Sequence, residues 1–235
     1  MEDYRGGGGM RQLLIMDSYI EFFFVRHGET ADNAAGILQG QLDSPLNALG
    51  RSQASSVAQA LAGMRIDAAY SSDLLRAAQT ARAIVDAHGG GVPLTTERGL
   101  REWNLGDFEG RRQRDLLAEH VDILRSLRIE EPGDRMVPGG ESKLAFFARI
   151  RGAMQTIAAR HHAGQRVLVV THGGAMQVVF RMAIGALQPG AVVPLPDNAS
   201  FSRVRYLPSE NRWGLSTWNE RSHLDAIGVH NTLIF

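Results

Sequence analysis

The sequence predicts an α/β fold, a three-layer α/β/α sandwich with a mostly parallel central sheet. Three observations predict it. The apolar runs Ile20–Val25 (IEFFFV) and Val167–Val170 (VLVV) are aromatic and β-branched, the composition of strands buried on both faces. Stretches with helical spacing of apolar residues alternate with such runs along the chain. The 235 residues, 44% apolar and 21% charged, suffice for one domain with a proper core. Each apolar run is followed closely by a histidine, His27 and His172, where open α/β sheets place their ligands.

The elements follow in order. The strand at Ile20–Val25 leads through a loop to Pro45. Asn47–Met64 reads as a helix, with Val57, Leu61 and Met64 at helical spacing. Ala68–Tyr70 is a short strand. Ser72-Asp73 offers an N-cap for a helix from Leu74 to about His88, stopped by three glycines at 89–91. Leu94–Thr96 is a candidate strand, Gly99–Gly110 a loop, and Leu116–Leu127 a helix. After a Pro/Gly-rich break at Glu131–Gly140, Ser142 caps a helix to about His161, and Gly164 ends the turn. The second long strand and a helix at Ala175–Ile184 follow. Ser200–Leu207 and Trp213–Trp218 form an antiparallel pair around Pro208–Asn211.

Composition narrows the function. With no cysteine, disulfides, thiolate metal sites and cysteine nucleophiles are excluded, and a cytoplasmic location is expected. Zero formal net charge gives no footprint for nucleic acid or a membrane surface. No apolar run reaches membrane-spanning length. Lys143 is the only lysine; codon bias accounts for that in general, and anion recognition only at particular arginines. Residues 1–18 read as a flexible leader, 19–224 as the main domain and 225–235 as a tail, with Met1, Met10 and Met16 all open as the start. A homodimer stays open.

In Arg26-His27-Gly28, the arginine offers a planar fork for phosphoryl oxygens, and the glycine lets backbone approach a ligand. Asn33 is an uncharged donor within reach of the same oxygens. Arg76 lies in the first turn of its helix, where free N–H groups already favour an anion. Glu102 sits in a turn-rich stretch of the kind that carries functional groups. Alone, Arg76 and Glu102 would be surface charges. Glu109 reads as a helix-start group and Glu141 as a support. His161 and His162 end a helix, where the dipole favours a cation. His88, His120, His223 and His230 lack metal-ligand spacing, and no phosphate-binding P-loop or dinucleotide fingerprint occurs, so neither metal nor cofactor is expected.

Arg26-His27-Gly28-Glu29-Thr30 with Asn33 resembles the signature of the histidine phosphatase superfamily, also called the phosphoglycerate-mutase-like family. The resemblance continues through Gln39-Gly40, Asp43, Pro45-Leu46, Gly50 and Gln53-Ala54, then Ser71–Ala81. Further on come Glu102, Gly106 and Glu109-Gly110, then Pro138–Ser142 and Thr171–Gly174. Five blocks in order, from about Ile20 to Leu224, make a specific match. It implies that His27 is the nucleophile and that Arg26, Asn33, Arg76 and His172 hold the phosphoryl group. Glu102 is implied as proton donor. The residues suit these roles: two arginines and a protonated His172 would place three positive charges around the equatorial oxygens without a metal. A proton on the second nitrogen of His27, held by a backbone carbonyl, would leave the first free to attack. A phosphate dianion nearby would favour the acid form of Glu102.

Within the family, the mutases usually read Glu-Arg-His-Tyr-Gly where this chain has Glu102-Trp103-Asn104-Leu105-Gly106, and their insertion between Gly110 and Gly139 is longer. Both departures point to a phosphomonoesterase of the histidine acid type acting on a small phosphorylated metabolite. Arg111 and Arg112 point toward a mutase, the first alternative; an inactive phospho-ligand-binding module is the second. A cap segment at about 106–140 would choose the substrate. Gln39, Gly40 and Trp103 are candidates for the substrate loop. Trp103 and Phe108 fit either apolar contact with the leaving group or core.

Overall fold

The computed structural model describes residues 18–127, 134, 136–186 and 193–227. The expected leader before Ser18, part of the Pro/Gly break (131–133 and 135) and the tail beyond 227, with His230, lie outside the described residues. In chain order the elements are β1 (Ile20–Arg26), α1 (Ala31–Ala35), α2 (Ala48–Leu61), β2 (Ala68–Ser71), α3 (Leu75–Ala87), β3 (Leu94–Thr96) and α4 (Gln113–Leu127). They continue with α5 (Lys143–Ala158), β4 (Arg166–Thr171), α6 (Gly173–Ala183), β5 (Phe201–Leu207) and β6 (Arg212–Glu220).

All seven residues of β1 are buried. Successive strand side chains point to opposite faces. Phe22 and Phe24 therefore enter one core with Ile150, Met154, Met176 and Val179 of α5 and α6. Phe23 and Val25 enter another with Val57, Leu61, Ala81 and Ile84 of α2 and α3. That double burial makes the three layers.

The six strands lie in the order β3-β2-β4-β1-β5-β6. β3, β2, β4 and β1 are mutually parallel, and β5 and β6 add an antiparallel edge, so the sheet is mixed. The chain leaving β1 runs to α2 on one face, whereas the chain leaving β4 runs to α6 on the other. A crevice therefore opens at the carboxyl ends of β1 and β4, the switch point where such sheets bind ligands.

Three local expectations need correcting. Ser72-Asp73 does not cap α3: the cap residue is Leu74, without a side-chain cap bond, and Asp43 accepts the Leu75 N–H at 2.6 Å. The helix begun at Ser142, whose hydroxyl does accept from Ala145, ends at Ala158 rather than near His161. His161 instead meets the Tyr70 hydroxyl at 3.0 Å and Gln165 at 3.1 Å. The 99–110 loop holds two 3-10 turns, and α4 starts at Gln113 with a break at His120 (φ −139°, ψ 38°).

Candidate active site

Strand pairing brings the two histidines together. Arg26, the last residue of β1, pairs with Thr171, the last of β4, and the His27 N–H extends the ladder to the Thr171 carbonyl at 3.0 Å. Both rings are buried, with centroids 5.1 Å apart and planes at 59°.

His27 Nδ1 lies 2.7 Å from the Gly28 carbonyl oxygen. A carbonyl only accepts, so Nδ1 carries the proton and Nε2 keeps its lone pair. Burial first, then Arg76 and Arg26, push the ring's pKa well below its ordinary value. His27 is thus a neutral, desolvated imidazole at pH 7.

His172 Nε2 lies 2.8 Å from Ser72 Oγ. Its pKa is also pushed well below the ordinary value, by burial and then by Arg76, His27, Arg26 and Arg149. The expected third positive charge is therefore not in place in the protein alone. Two guanidinium charges face two neutral imidazoles, because desolvation and the neighbouring arginines both oppose a proton on His172.

The arginines are aimed by backbone carbonyls. Arg26 Nη1 donates to Pro196 O at 2.6 Å. Arg76 donates from Nη1 to Leu42 O at 2.6 Å and from Nη2 to Gly40 O at 2.8 Å. Burial lowers the Arg26 pKa to about 10, partly offset by Glu102 and Asp197, which leaves it charged at pH 7. Arg76 is lowered by burial, with Glu102 the largest opposing influence. Arg26 Nε, Arg76 Nε and His172 Nδ1 are buried without a protein partner. Leaving such atoms unpaired costs about 1–3 kcal/mol each. Three around one crevice suit a ligand rich in oxygen acceptors.

Glu102 closes the site from the loop before α4. Its Oε1 accepts from the Trp103 N–H and its Oε2 from the Gly174 N–H, both at 2.9 Å. The second contact sets the carboxylate at the N-terminus of α6, where the helix dipole favours negative charge. A Cβ on Gly174 would lie 2.5 Å from Glu102 Oε1, so glycine is needed for this approach.

The sequence profile of the Histidine phosphatase superfamily (branch 1) matches residues 22–221. The chain belongs to this superfamily. A probable phosphoglycerate mutase GpmB of Yersinia enterocolitica is 37% identical over 212 residues, covering 88% of this chain and 95% of the relative. A metal-independent phosphoserine phosphatase of Arabidopsis thaliana is 36% identical over 211 residues, covering 88% and 84%. Among solved structures, a mycobacterial glucosyl-3-phosphoglycerate phosphatase in complex with VO3 superposes with a TM-score of 0.75 at 29% identity, covering 86% of this chain and 99% of that one. Histidine phosphatases thus include phosphatases and mutase-like relatives of this chain.

The other expected site residues of this histidine phosphatase sit as follows. Asn33 Oδ1 accepts from the Thr30 N–H at 3.2 Å in the cap of α1, which leaves its Nδ2 as the donor. Gln39 is buried, with Oε1 3.0 Å from the Thr30 hydroxyl. Gly40 acts on Arg76 through its carbonyl, and a Cβ there (φ +51°) would strike the Glu109 carboxylate. Trp103 lies in the core, stacked on Phe146 with centroids 5.2 Å apart, as Phe108 also lies in the core. Glu109 starts no helix; its carboxylate ties Gln41 N (2.8 Å) to Leu105 N (3.0 Å) across two loops. Arg111 pairs with Glu119 at 2.6 Å and Arg112 is exposed. Gly28 also approaches Gly50, whose carbonyl oxygen would be 2.4 Å from an added Cβ.

Some residues at the site escaped the sequence reading. Ser72 does not cap α3; its Oγ meets His172 Nε2. Asn198 Nδ2 donates to His27 O at 2.9 Å, and the Ala199 N–H to Arg26 O at 3.0 Å, so the 196–199 segment walls in His27. Nothing local marks Asn198, whose partner lies 171 positions away. Among the described residues no helix is long and apolar enough to cross a membrane. Nor, among them, does any group of three or more His, Asp or Glu side chains fit a metal ion.

Proposed function

We propose that this histidine phosphatase is a phosphomonoesterase that hydrolyses a small phosphorylated metabolite in the cytoplasm, with His27 as nucleophile and Glu102 as proton donor. The observation that carries the reading is the fixed tautomer of His27. Its Nδ1–H is spent on Gly28 O, and Nε2 is left unprotonated in a dry site between two arginines.

The steps balance. The Nε2 lone pair attacks phosphorus while the P–O bond to the leaving group breaks. Protonated Glu102 gives its proton to the departing oxygen, which leaves as an alcohol. Arg26 and Arg76 meet the developing charge through fixed donors, and His172, facing the dianion, takes up a proton from solvent when the substrate binds and returns it to solvent when inorganic phosphate leaves. A water then attacks the phosphohistidine, its proton passing to the Glu102 carboxylate. The P–N bond breaks, inorganic phosphate leaves, and His27 is again neutral.

Hydrolysis is favoured over mutase transfer because Trp103, in the position of a mutase arginine, is spent on the core, and Leu105 replaces a tyrosine. The phosphatase names of two relatives support the same choice. Two measurements test it. A panel of phosphorylated metabolites, with 3-phosphoglycerate included, is expected to yield free phosphate; isomerisation without release would establish the mutase. Rapid quench should trap acid-labile, base-stable phosphate on the protein, lost in His27→Ala. Silence toward every ester would leave a binding module.

A further inference from the structure

We propose that Arg149, paired with Glu141, is the positioning residue of the proton donor: it fixes the Glu102–Trp103 peptide and thereby the place of the carboxylate that Glu102 presents to the leaving group. The inference rests on the reading of Glu102 given above.

Arg149 lies on α5 and donates to none of Arg26, His27, Arg76 or His172, yet all five of its N–H groups are used in one task. Nε donates to Glu141 Oε1 at 2.9 Å and Nη2 to Glu141 Oε2 at 2.7 Å, a bidentate pair. The remaining three go to carbonyls of the single loop that carries Glu102. Nη1 donates to Gly99 O at 3.1 Å and Arg101 O at 2.8 Å, and Nη2 to Glu102 O at 3.1 Å. The Glu102 carbonyl takes a second donor, Gln41 Nε2, at 3.0 Å.

The same pair holds the next residue. Trp103 Nε1 donates to Glu141 O at 2.7 Å, and its ring stacks on Phe146, one turn before Arg149. The Arg149 guanidinium in turn lies over the Phe146 ring, 5.3 Å from its centroid. The peptide between Glu102 and Trp103 is thus clamped at both ends: its C=O by Arg149 and Gln41, and its N–H by the Glu102 side chain itself. That last bond converts backbone placement into carboxylate placement. If the peptide rotates, the carboxylate leaves the N-terminus of α6.

Shape carries this role more than charge. Arg149 is neutralised by Glu141, and a lysine at 149 would keep the charge but offer three donors from one point. It cannot bridge three carbonyls and a bidentate carboxylate at once.

The test compares Arg149→Lys with Glu102→Gln and with the double variant. The readout is the single-turnover rate of His27 phosphorylation by glycerol 3-phosphate and by p-nitrophenyl phosphate. A misplaced acid matters for the alkyl leaving group and little for the nitrophenolate. Arg149→Lys should cost about 10- to 100-fold with the alkyl ester and under about threefold with the aryl ester. In the double variant it should add no more than about twofold to the alkyl loss of Glu102→Gln, since the effect runs through Glu102. Equal losses for both esters, or multiplicative losses in the double variant, would overturn the proposal. A merely structural role would move both esters together. If Arg149→Lys fails to fold, the nearly isosteric Glu141→Gln goes through the same comparison, and an unchanged ester ratio there overturns it equally. Glu102→Gln alone separates the two readings. Equal losses in that variant remove the proton-donor assignment and this proposal with it. A split in Glu102→Gln that is absent from Arg149→Lys removes only the present one.

Discussion

Replacing Gly174 with alanine should damage catalysis while sparing the fold. The added Cβ would stand 2.5 Å from Glu102 Oε1 and 3.2 Å from its Cδ. Ordinary contact begins near 3.4 Å, so the oxygen must retreat by about 0.9 Å. The atom that yields is the tip of a flexible side chain, and the backbone at 174 is helical and suits alanine. Alanine is better than glycine inside a helix by about 1 kcal/mol, which offsets a strained contact of similar size. The midpoint of thermal unfolding should therefore stay within a few degrees of the parent's. The acid, however, is displaced by nearly an ångström, and misplacement on that scale can cost about 100-fold. Single-turnover phosphorylation by glycerol 3-phosphate should fall about 10- to 100-fold, and by p-nitrophenyl phosphate far less. Unchanged turnover of the alkyl ester, in a protein of parental stability, would refute the placement of Glu102 as the acid. So would equal loss for both esters.

Gly28→Ala should behave oppositely, because its Cβ meets the Gly50 carbonyl oxygen at 2.4 Å and backbone cannot step aside; a loss of about 1–3 kcal/mol in urea unfolding is expected. The protein should also lose stability in mild acid. His27 and His172 have depressed pKa values when folded, so below the unfolded value of about 6.5 the unfolded chain binds more protons. Stability is full above that pH and falls beneath it, by up to about 2.7 kcal/mol per pH unit while both rings stay neutral, and His172→Asn should halve the slope in urea titrations. Finally, binding of vanadate at pH 7 should take up a proton, seen as a buffer-dependent heat in calorimetry, and the uptake should vanish in His172→Asn; proton-neutral binding by the parent would leave His172 uncharged throughout.

What was legible in the sequence was whatever short-range pattern controls. The run IEFFFV could only be a strand buried on both faces, and its position fixed that of His27; VLVV did the same for His172. Arg76 on its own read as a surface charge, and only the family resemblance marked it. Ser72 was misread because a serine before a helix is normally its cap, whereas the partner that claims this hydroxyl comes from 100 positions away. Asp73 went the same way, drawn off by Arg101 in a bidentate pair at 2.7 Å. Trp103 looked available for a substrate because loop residues usually are, and only α5 supplies the ring that buries it. Arg149 borders the apolar stripe of its helix, a placement that sequence periodicity treats as ordinary solvent-facing charge. In each case the missing information was a partner distant along the chain.

The sheet order also sets when the site can come into existence. Among the described residues β1 pairs only with β4 and β5, so Glu21 must wait for Arg166, about 145 residues later, and for Arg205 after that. At ribosomal speeds of roughly 5–20 residues per second, the interval is roughly 7–30 s. Through most of it, Phe22 and Phe24 lack the α5 and α6 side chains that cover them and β1 has no paired edge, the kind of surface that invites aggregation. His27 stands at the end of that strand and is walled in by Asn198 and Ala199. Site and fold therefore share one late event: until β4 and β5 dock, His27 lacks His172 beside it and Asn198 against its backbone.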